Sequence, residues 1–169
     1  MSRINPVREI ISRADRLGSA FADAHAHTVR AVLSLQQHYH QAAPNPLPEN
    51  IVEMHLDPVR NGLLLMEGAV NEMISLVFQI DVFKNDTSAD GHAPIIAAGF
   101  DPKEALGHVS DLFHMYQAEL LAKRESLADF TCEDIDIDTF AAQWQRLDEV
   151  EQGKKQEVDD LAELLAGLG

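Results

Sequence analysis

The sequence predicts an all-α protein, a mostly antiparallel bundle of four main helices with one or two short extra helices. Apolar residues recur at alternating steps of three and four along several long stretches, which is the spacing of one face of a helix. A cap residue followed by proline stands at residues 5–6, 57–58 and 101–102, and this pair is typical of helix starts. The 169-residue length suits one domain with a substantial core.

The first predicted helix begins at Pro6, after the N-cap Asn5, and ends near Gln41, before three closely spaced prolines. Gly18 could interrupt it. A helix of this length is roughly 54 Å long, and helices so long usually have a bundle or coiled-coil partner, so a homo-oligomer is one open alternative. Its apolar stripe consists of Val7, Ile10, Ala14, Leu17, Phe21, Ala24, Thr28, Val32, Leu35 and Tyr39.

Residues 59–84 are predicted to form the central helix, capped by Asp57 and Pro58. Residues 51–56 precede it as a short separate element, for which a brief helix is favoured over a strand. Apolar residues cover most of its girth, so neighbouring helices are expected on nearly every side. On this interpretation Phe78→Ala or Val77→Asp unfolds the domain or nearly so. The apolar residues of the two stripes are Val59, Leu63, Met66, Val70, Met73, Val77, Ile80, Leu65, Ala69, Leu76 and Phe83.

Two glycines, Gly62 and Gly68, lie within the predicted central helix. Each costs about 1 kcal/mol relative to alanine in a helix interior. The sequence therefore predicts that another helix approaches closely at both positions, with a ligand pocket as the alternative.

The second half of the chain is predicted to contain two further main helices. One begins at Pro102, where Glu104 completes a capping box, and ends near Leu127. In the preceding connection, Ile95, Ile96 and Phe100 are expected to fold back onto the bundle. The last helix is interrupted by a predicted hinge near Gly153, which divides the chain into a bundle domain, residues 1–153, and an amphipathic helix, residues 154–169. The apolar face before the hinge consists of Ile137, Phe140, Trp144 and Leu147.

The chain carries a net charge of −15, and the charge is unevenly distributed. The first 84 residues contain seven Lys/Arg against nine Asp/Glu, whereas the remainder contains six against nineteen. Direct nucleic-acid binding is disfavoured, because it requires clustered cations. The acidic surface is either a solubilising exterior or a contact surface for a basic partner.

Cysteine usage and hydropathy favour a cytoplasmic location. Cys132 is the sole cysteine, which excludes an intramolecular disulfide framework and a cysteine-rich zinc site. The N-terminal residues lack the apolar region of a signal peptide. No apolar run approaches the roughly 18 residues of a membrane span, so no membrane association is expected.

Histidines and acidic residues are the candidates for a metal site, but their spacing does not favour one. His25/His27 and His38/His40 are pairs two residues apart, and on a helix such pairs point in different directions. His25 falls on the core side, where it is predicted to be a hydrogen-bonded core residue. The Glu-x-x-His pairs of a di-iron bundle and the His-Glu-x-x-His of zinc proteases are absent.

The acidic segment before the last helix resembles the first half of an EF-hand loop. It fails as a calcium site, because Thr139 replaces the turn glycine and Gln145 replaces the bidentate glutamate. These acids are instead predicted to cap a helix. No cofactor or metal is predicted, and no catalytic motif occurs in the chain.

The predicted function is that of an acidic cytoplasmic protein–protein interaction module, such as an adaptor, a chaperone or an inhibitor of a protein partner. An enzyme is disfavoured. The alternative is a helical bundle that binds a small molecule or a metal through His25, Glu67 and Glu72, either as an enzyme or as a binding protein only. The C-terminal helix either docks on its own bundle or binds a partner. Its candidate partner-binding residues are Val158, Leu161, Leu164, Leu165 and Leu168.

Overall fold

The computed structural model describes residues 6–85, 102–150 and 152–167, and the all-α prediction is confirmed for them. These residues form five helices packed together, with no strand among them. The helices are α1 (Pro6–Ala42), α2 (Glu49–Asn85), α3 (Pro102–Thr131), α4 (Ile137–Gln145) and α5 (Gln152–Gly167). The predicted packing of Ile95, Ile96 and Phe100 lies outside the described residues.

Helix α1 has the predicted extent, with Pro6 in its first position and its end at Ala42. Gly18 does not interrupt it. This glycine is buried, and a Cβ atom there would lie 3.1 Å from the hydroxyl oxygen of Tyr116 on α3. Gly18 therefore marks a close contact between two helices.

Helix α2 begins at Glu49, so the predicted start at residues 57–58 is wrong. Residues 51–56 belong to the same helix, and Pro58 lies inside it. The first turn forms at Pro48, whose carbonyl oxygen accepts from the amide of Ile51 at 3.0 Å. An internal proline removes one backbone donor, but the buried side chains of Leu56 and Val59 hold this part of the helix against the core.

The expectation that α2 is covered on nearly every side is also wrong. One face is buried and supplies Leu56, Val59, Met66, Val70, Met73, Leu76 and Ile80 to the core. On the opposite face, large apolar side chains face solvent: Leu64 is 65% exposed, Leu65 66%, Phe78 69% and Val82 72%. The described helices that pack against α2 are α1 and α3. Two neighbours on adjoining sides leave the third side of the helix uncovered.

Helix α3 runs four residues beyond its predicted end and is closed by a left-handed residue, Glu133, with φ of 61°. The amide of Asp134 donates to the carbonyl oxygen of Asp129 at 2.8 Å, and the amide of Glu133 donates to that of Phe130 at 3.1 Å. This is the paired hydrogen-bond pattern that terminates many helices.

Helix α4 is short, and Asp136 caps it as predicted. Its Oδ1 atom accepts from the amide of Thr139 at 2.7 Å. The aromatic rings of Phe140 and Phe130 stack with centroids 4.5 Å apart, which holds α4 on the end of α3. Asp136 of the acidic segment therefore serves as the predicted helix cap.

Helix α5 begins at Gln152, so Gly153 lies in its first turn rather than between two helices. The helix packs against α1 and α3, and Val158 is only 1% exposed. The preceding chain leaves the helical conformation after Gln145. The division of the chain into residues 1–153 and 154–169 stays a prediction.

By length and composition, one described helix could cross a membrane. The stretch Glu49–Phe83 contains an 18-residue window of mean hydropathy 1.4, so an apolar window of spanning length does occur in the chain. A third of that window is buried in the fold. Core helices of other folds pass the same test, so this is weak evidence about location.

Candidate functional site

The three residues of the predicted small-molecule or metal site have different surroundings. His25 is buried, and its Nε2 lies 2.8 Å from the carbonyl oxygen of Trp144, as expected for a core histidine. Glu67 forms an ion pair of 2.8 Å with Arg124. Glu72 is exposed, in a groove that α1 also lines. Among the described residues, no group of three His, Cys, Asp or Glu side chains could hold a metal ion.

A buried ion pair joins α3 to the end of α4. Lys123 and Glu119 are almost fully buried, and the Lys123 Nζ lies 3.1 Å from Glu119 Oε1. The same Nζ donates to the carbonyl oxygen of Trp144 at 2.6 Å and to that of Arg146. Glu119 Oε2 accepts from the amide of Glu149 at 2.9 Å. The ammonium group thus satisfies carbonyl oxygens at the carboxyl end of α4, in addition to the backbone hydrogen bond from the amide of Arg146 to the carbonyl oxygen of Gln143.

The ammonium group of this ion pair is engaged by oxygen atoms of the protein itself. Burial lowers the pKa of Lys123, while the charge and hydrogen bond of Glu119 raise it. The surrounding oxygens accept hydrogen bonds from the ammonium group, so its donors are already engaged. A catalytic lysine needs a free, neutral amine. Lys123 therefore positions α4 instead of attacking a substrate.

The same cluster extends to α1 through Thr28. Its Oγ1 donates to the carbonyl oxygen of His25 at 2.6 Å and accepts from Trp144 Nε1 at 3.0 Å. Burial lowers the pKa of His25, the hydrogen bond to Trp144 raises it, and the Lys123 charge lowers it. A neutral imidazole that donates from Nε2 fits this position.

The exposed side of α2 is the main candidate for a functional surface. Leu64, Gly68, Asn71, Ser75, Phe78 and Val82 follow one another at alternating steps of four and three, and all are exposed. That spacing places them in a single row along the helix. The row carries no charge, although 13 basic and 28 acidic residues occur in the chain. Large apolar side chains grouped on a surface mark interaction sites more often than isolated ones do.

Gly68 distinguishes this row from an ordinary solvent-facing one. A Cβ at Gly62 would meet Thr28 Cγ2 at 2.0 Å, so the predicted close approach of a helix is confirmed there. A Cβ at Gly68 would have no described atom within 4 Å. The predicted approach of another helix at Gly68 is therefore not found in the described part of the chain. The glycine leaves a gap in the surface, with Leu64 and Leu65 at one side.

The apolar surface continues onto α3. A groove of about 450 Å³ between α2 and α3 is lined by apolar residues such as Ile74 and Leu121, and also by the ion pair of Glu67 and Arg124. Leu121 is itself exposed. We call Leu64, Leu65, Gly68, Asn71, Ser75, Phe78 and Val82, together with Leu121, the α2 face.

The predicted partner-binding residues of the C-terminal helix do not share one exposed surface. Val158 is buried and Leu161 is half-buried against the core, whereas Leu164 is 52% exposed. The side chain of Leu165 and all of Leu168 lie outside the described residues. A partner could reach Leu164 without moving α5, but it could not reach Val158.

Sequence reasoning missed both the buried ion pair and the α2 face. The ion pair left a signal, because Lys123 occupies the next position of the stripe that runs through Val109, Phe113, Tyr116 and Leu120. A lysine on a core stripe, four residues after a glutamate, indicates a buried pair. Asn71 and Ser75 marked the polar middle of the α2 face, but Leu64, Phe78 and Val82 left no signal, because apolar residues toward solvent have the same helical spacing as those toward the core.

Comparison with known proteins adds no relative from which a function could be transferred. No family model, curated protein or solved structure matches this chain.

Proposed function

We propose that this chain is a protein–protein interaction module that binds its partner through the α2 face. The observation that carries the proposal is the exposure of Leu64, Leu65, Phe78 and Val82, each about two-thirds exposed on one helix. Burying such side chains contributes about 1.5–3 kcal/mol each. Four of them are enough to serve as the anchors of an interface.

The chemistry of the face favours a protein over a membrane or a nucleic acid. Its middle is polar but uncharged, at Asn71 and Ser75, and such groups form specific hydrogen bonds across an interface. The net charge of −15 opposes binding to anionic lipids and to phosphate backbones. A fitting partner offers an apolar ridge of complementary shape. Adaptor, chaperone and inhibitor roles all use such a surface.

Three further properties belong to this proposal. The protein works in the cytoplasm. Its main helices form a mostly antiparallel four-helix bundle, supported by the short connection between α1 and α2, since short connections join antiparallel neighbours. The C-terminal helix makes a secondary contact through Leu164.

The α2 face is tested by capturing partners from the source cell with the full chain and with a variant carrying Leu65→Glu and Phe78→Glu. The variant should lose the captured protein while the Tm of the dilute protein stays unchanged, because both side chains face solvent. Met54→Glu is the matched control, since Met54 is 65% exposed on the same helix. Equal capture by all three proteins would contradict the proposal.

The contribution of the C-terminal helix is tested separately with Leu164→Glu. Deleting residues 154–169 is a poor test, because the deletion removes Val158 from the core. Capture that weakens with Leu164→Glu at constant Tm supports the secondary contact. Unchanged capture removes it from the proposal.

A further inference from the structure

We infer that the partner of the α2 face is a second copy of this chain, with the two α2 helices packed antiparallel. This inference rests on the proposed function, since it names the partner of the same surface. The observation behind it is the order of side chains along the row: large at Leu64, none at Gly68, polar at Asn71 and Ser75, and large again at Phe78 and Val82.

That order is self-complementary. In an antiparallel pair with its twofold axis beside residue 73, Leu64 lies opposite Val82 of the other copy, Gly68 opposite Phe78, and Asn71 opposite Ser75. A twofold interface requires this reciprocity, because each residue that contacts a second must be contacted by it in turn. Alternating steps of three and four provide the layers through which two helices pack side by side.

The pairing explains the gap at Gly68. No described atom lies within 4 Å of a Cβ placed there, so nothing in the described fold requires a glycine. An aromatic ring of a second copy can rest on the bare backbone, as side chains do where helices approach closely. The central amide of Asn71 and the hydroxyl of Ser75 can donate and accept hydrogen bonds across the axis.

Charge and area both permit a second copy at this face. Two copies carry −15 each and repel elsewhere, whereas the row itself contains no charged residue. Exposed Glu72 flanks the row near the twofold axis, and it shares a groove with the basic residues Arg13 and Arg16 of α1. If a large side chain exposes about 200 Å² when free, the four anchors expose roughly 500 Å² per copy. A stable interface uses about 800 Å² per partner, so Asn61, Asn71, Gln79 and Leu121 must supply the remainder.

The oligomeric state is tested by sedimentation of the full chain over a wide concentration range and at two salt concentrations. We expect a monomer–dimer equilibrium that added salt strengthens, because salt screens the repulsion between acidic copies. Phe78→Ser and Gly68→Leu should each weaken the dimer by about tenfold or more, since each removes a central layer. Met54→Ser should leave the dimer unchanged.

Gly68→Ala separates dimerisation from folding. In the monomer this substitution should raise Tm, because alanine favours the helix and meets no described neighbour. In the dimer the added methyl group fills the space under the Phe78 ring of the other copy, so it should weaken association. If Gly68 had only a structural role within the monomer, Gly68→Ala would not raise Tm and weaken the dimer together.

The antiparallel register is tested by cysteine cross-linking in a Cys132→Ser background. A mixture of Gly68→Cys and Phe78→Cys proteins should form the mixed disulfide. Phe78→Cys alone should not cross-link, because the two positions lie roughly 15 Å apart across the axis. Cross-linking of Phe78→Cys with itself would overturn the register.

Other outcomes overturn the inference and are distinguishable from failure of the proposed function. If the protein stays monomeric but partner capture still requires Leu65 and Phe78, the inference fails and the proposed function stands. If it stays monomeric and Phe78→Ser lowers Tm, part of the same chain occupies the face, and both fail. Binding to phosphatidylcholine vesicles that Phe78→Ser abolishes, without dimerisation, assigns the face to lipid and also overturns both.

Discussion

Lys123 carries the cationic end of the buried polar cluster, and its removal leaves Glu119 without its counter-ion. Lys123→Met should lower the free energy of unfolding by about 3–5 kcal/mol, the typical cost of an unpaired buried charge. Urea denaturation measures the change. Arg124→Met is the neighbouring control and should cost under about 1 kcal/mol, since its ion pair with Glu67 is exposed. Equal costs for both variants would show that Lys123 has no special role.

His25 makes the fold sensitive to mild acid. Burial lowers its pKa below the ordinary 6.5, so the unfolded chain takes up a proton more readily than the folded one. The contribution of neutral His25 to the free energy of unfolding is therefore fully present above about pH 6.5, and it falls as the pH drops toward the pKa of the folded state. His25→Gln should remove this part of the pH dependence, measured by urea unfolding at several pH values. The exposed His27→Gln should retain it, and loss of the slope in that variant would contradict the assignment.

At the scale of the helix, α2 has two glycines with opposite roles. Gly62→Ala should destabilise the protein, because the new Cβ would lie 2.0 Å from Thr28 Cγ2 and the side chain of Thr28, whose hydroxyl is hydrogen-bonded to Trp144, would have to shift. Gly68→Ala should stabilise dilute monomer by about 1 kcal/mol through helix propensity. Thermal unfolding of the two variants provides the comparison, and changes of the same sign would contradict it.

The two sides of α2 should differ equally clearly in their response to truncation. Met73→Ala should cost about 2–5 kcal/mol, since Met73 is fully buried. Phe78→Ala should change the stability of dilute protein by less than about 0.5 kcal/mol, because its ring faces solvent. This corrects the expectation that Phe78→Ala unfolds the domain. A large loss of Tm for Phe78→Ala would place its ring in a core after all.

At the scale of the whole molecule, the carboxyl groups of Asp159 on α5 and Asp15 on α1 lie next to each other where the two helices pack. Burial raises the pKa of Asp159, and a hydrogen bond with Asp15 raises it further. The contribution of protonated Asp159 to the free energy of unfolding is present below about pH 3.8, and it is lost as the pH rises through the pKa of Asp159 in the folded state. Asp159→Asn should therefore raise Tm at neutral pH, with the exposed Glu125→Gln as a control of equal charge change. A lower Tm for Asp159→Asn would contradict this account.

Much of the secondary structure was predictable from local signals. The start of α1 at Pro6 and of α3 at Pro102 follow from residues next to them in the chain. The cap of α4 at Asp136 is equally local. The start of α2 was not predictable from Asp57 and Pro58, because buried neighbours compensate for the proline inside the helix. The buried role of His25 was predictable, but its partner, 119 residues away, was not.

By itself the sequence determined that the chain folds into helices, that His25 faces inward and that the exterior is acidic, because periodicity and charge act over a few residues. Only the tertiary structure decided which apolar stripe of α2 is buried and which is exposed. Both sides carry large apolar side chains at helical spacing, although Gly68, Asn71 and Ser75 interrupt the exposed side. The number of helices that pack around α2 therefore decides between them, and that number depends on how distant parts of the chain meet.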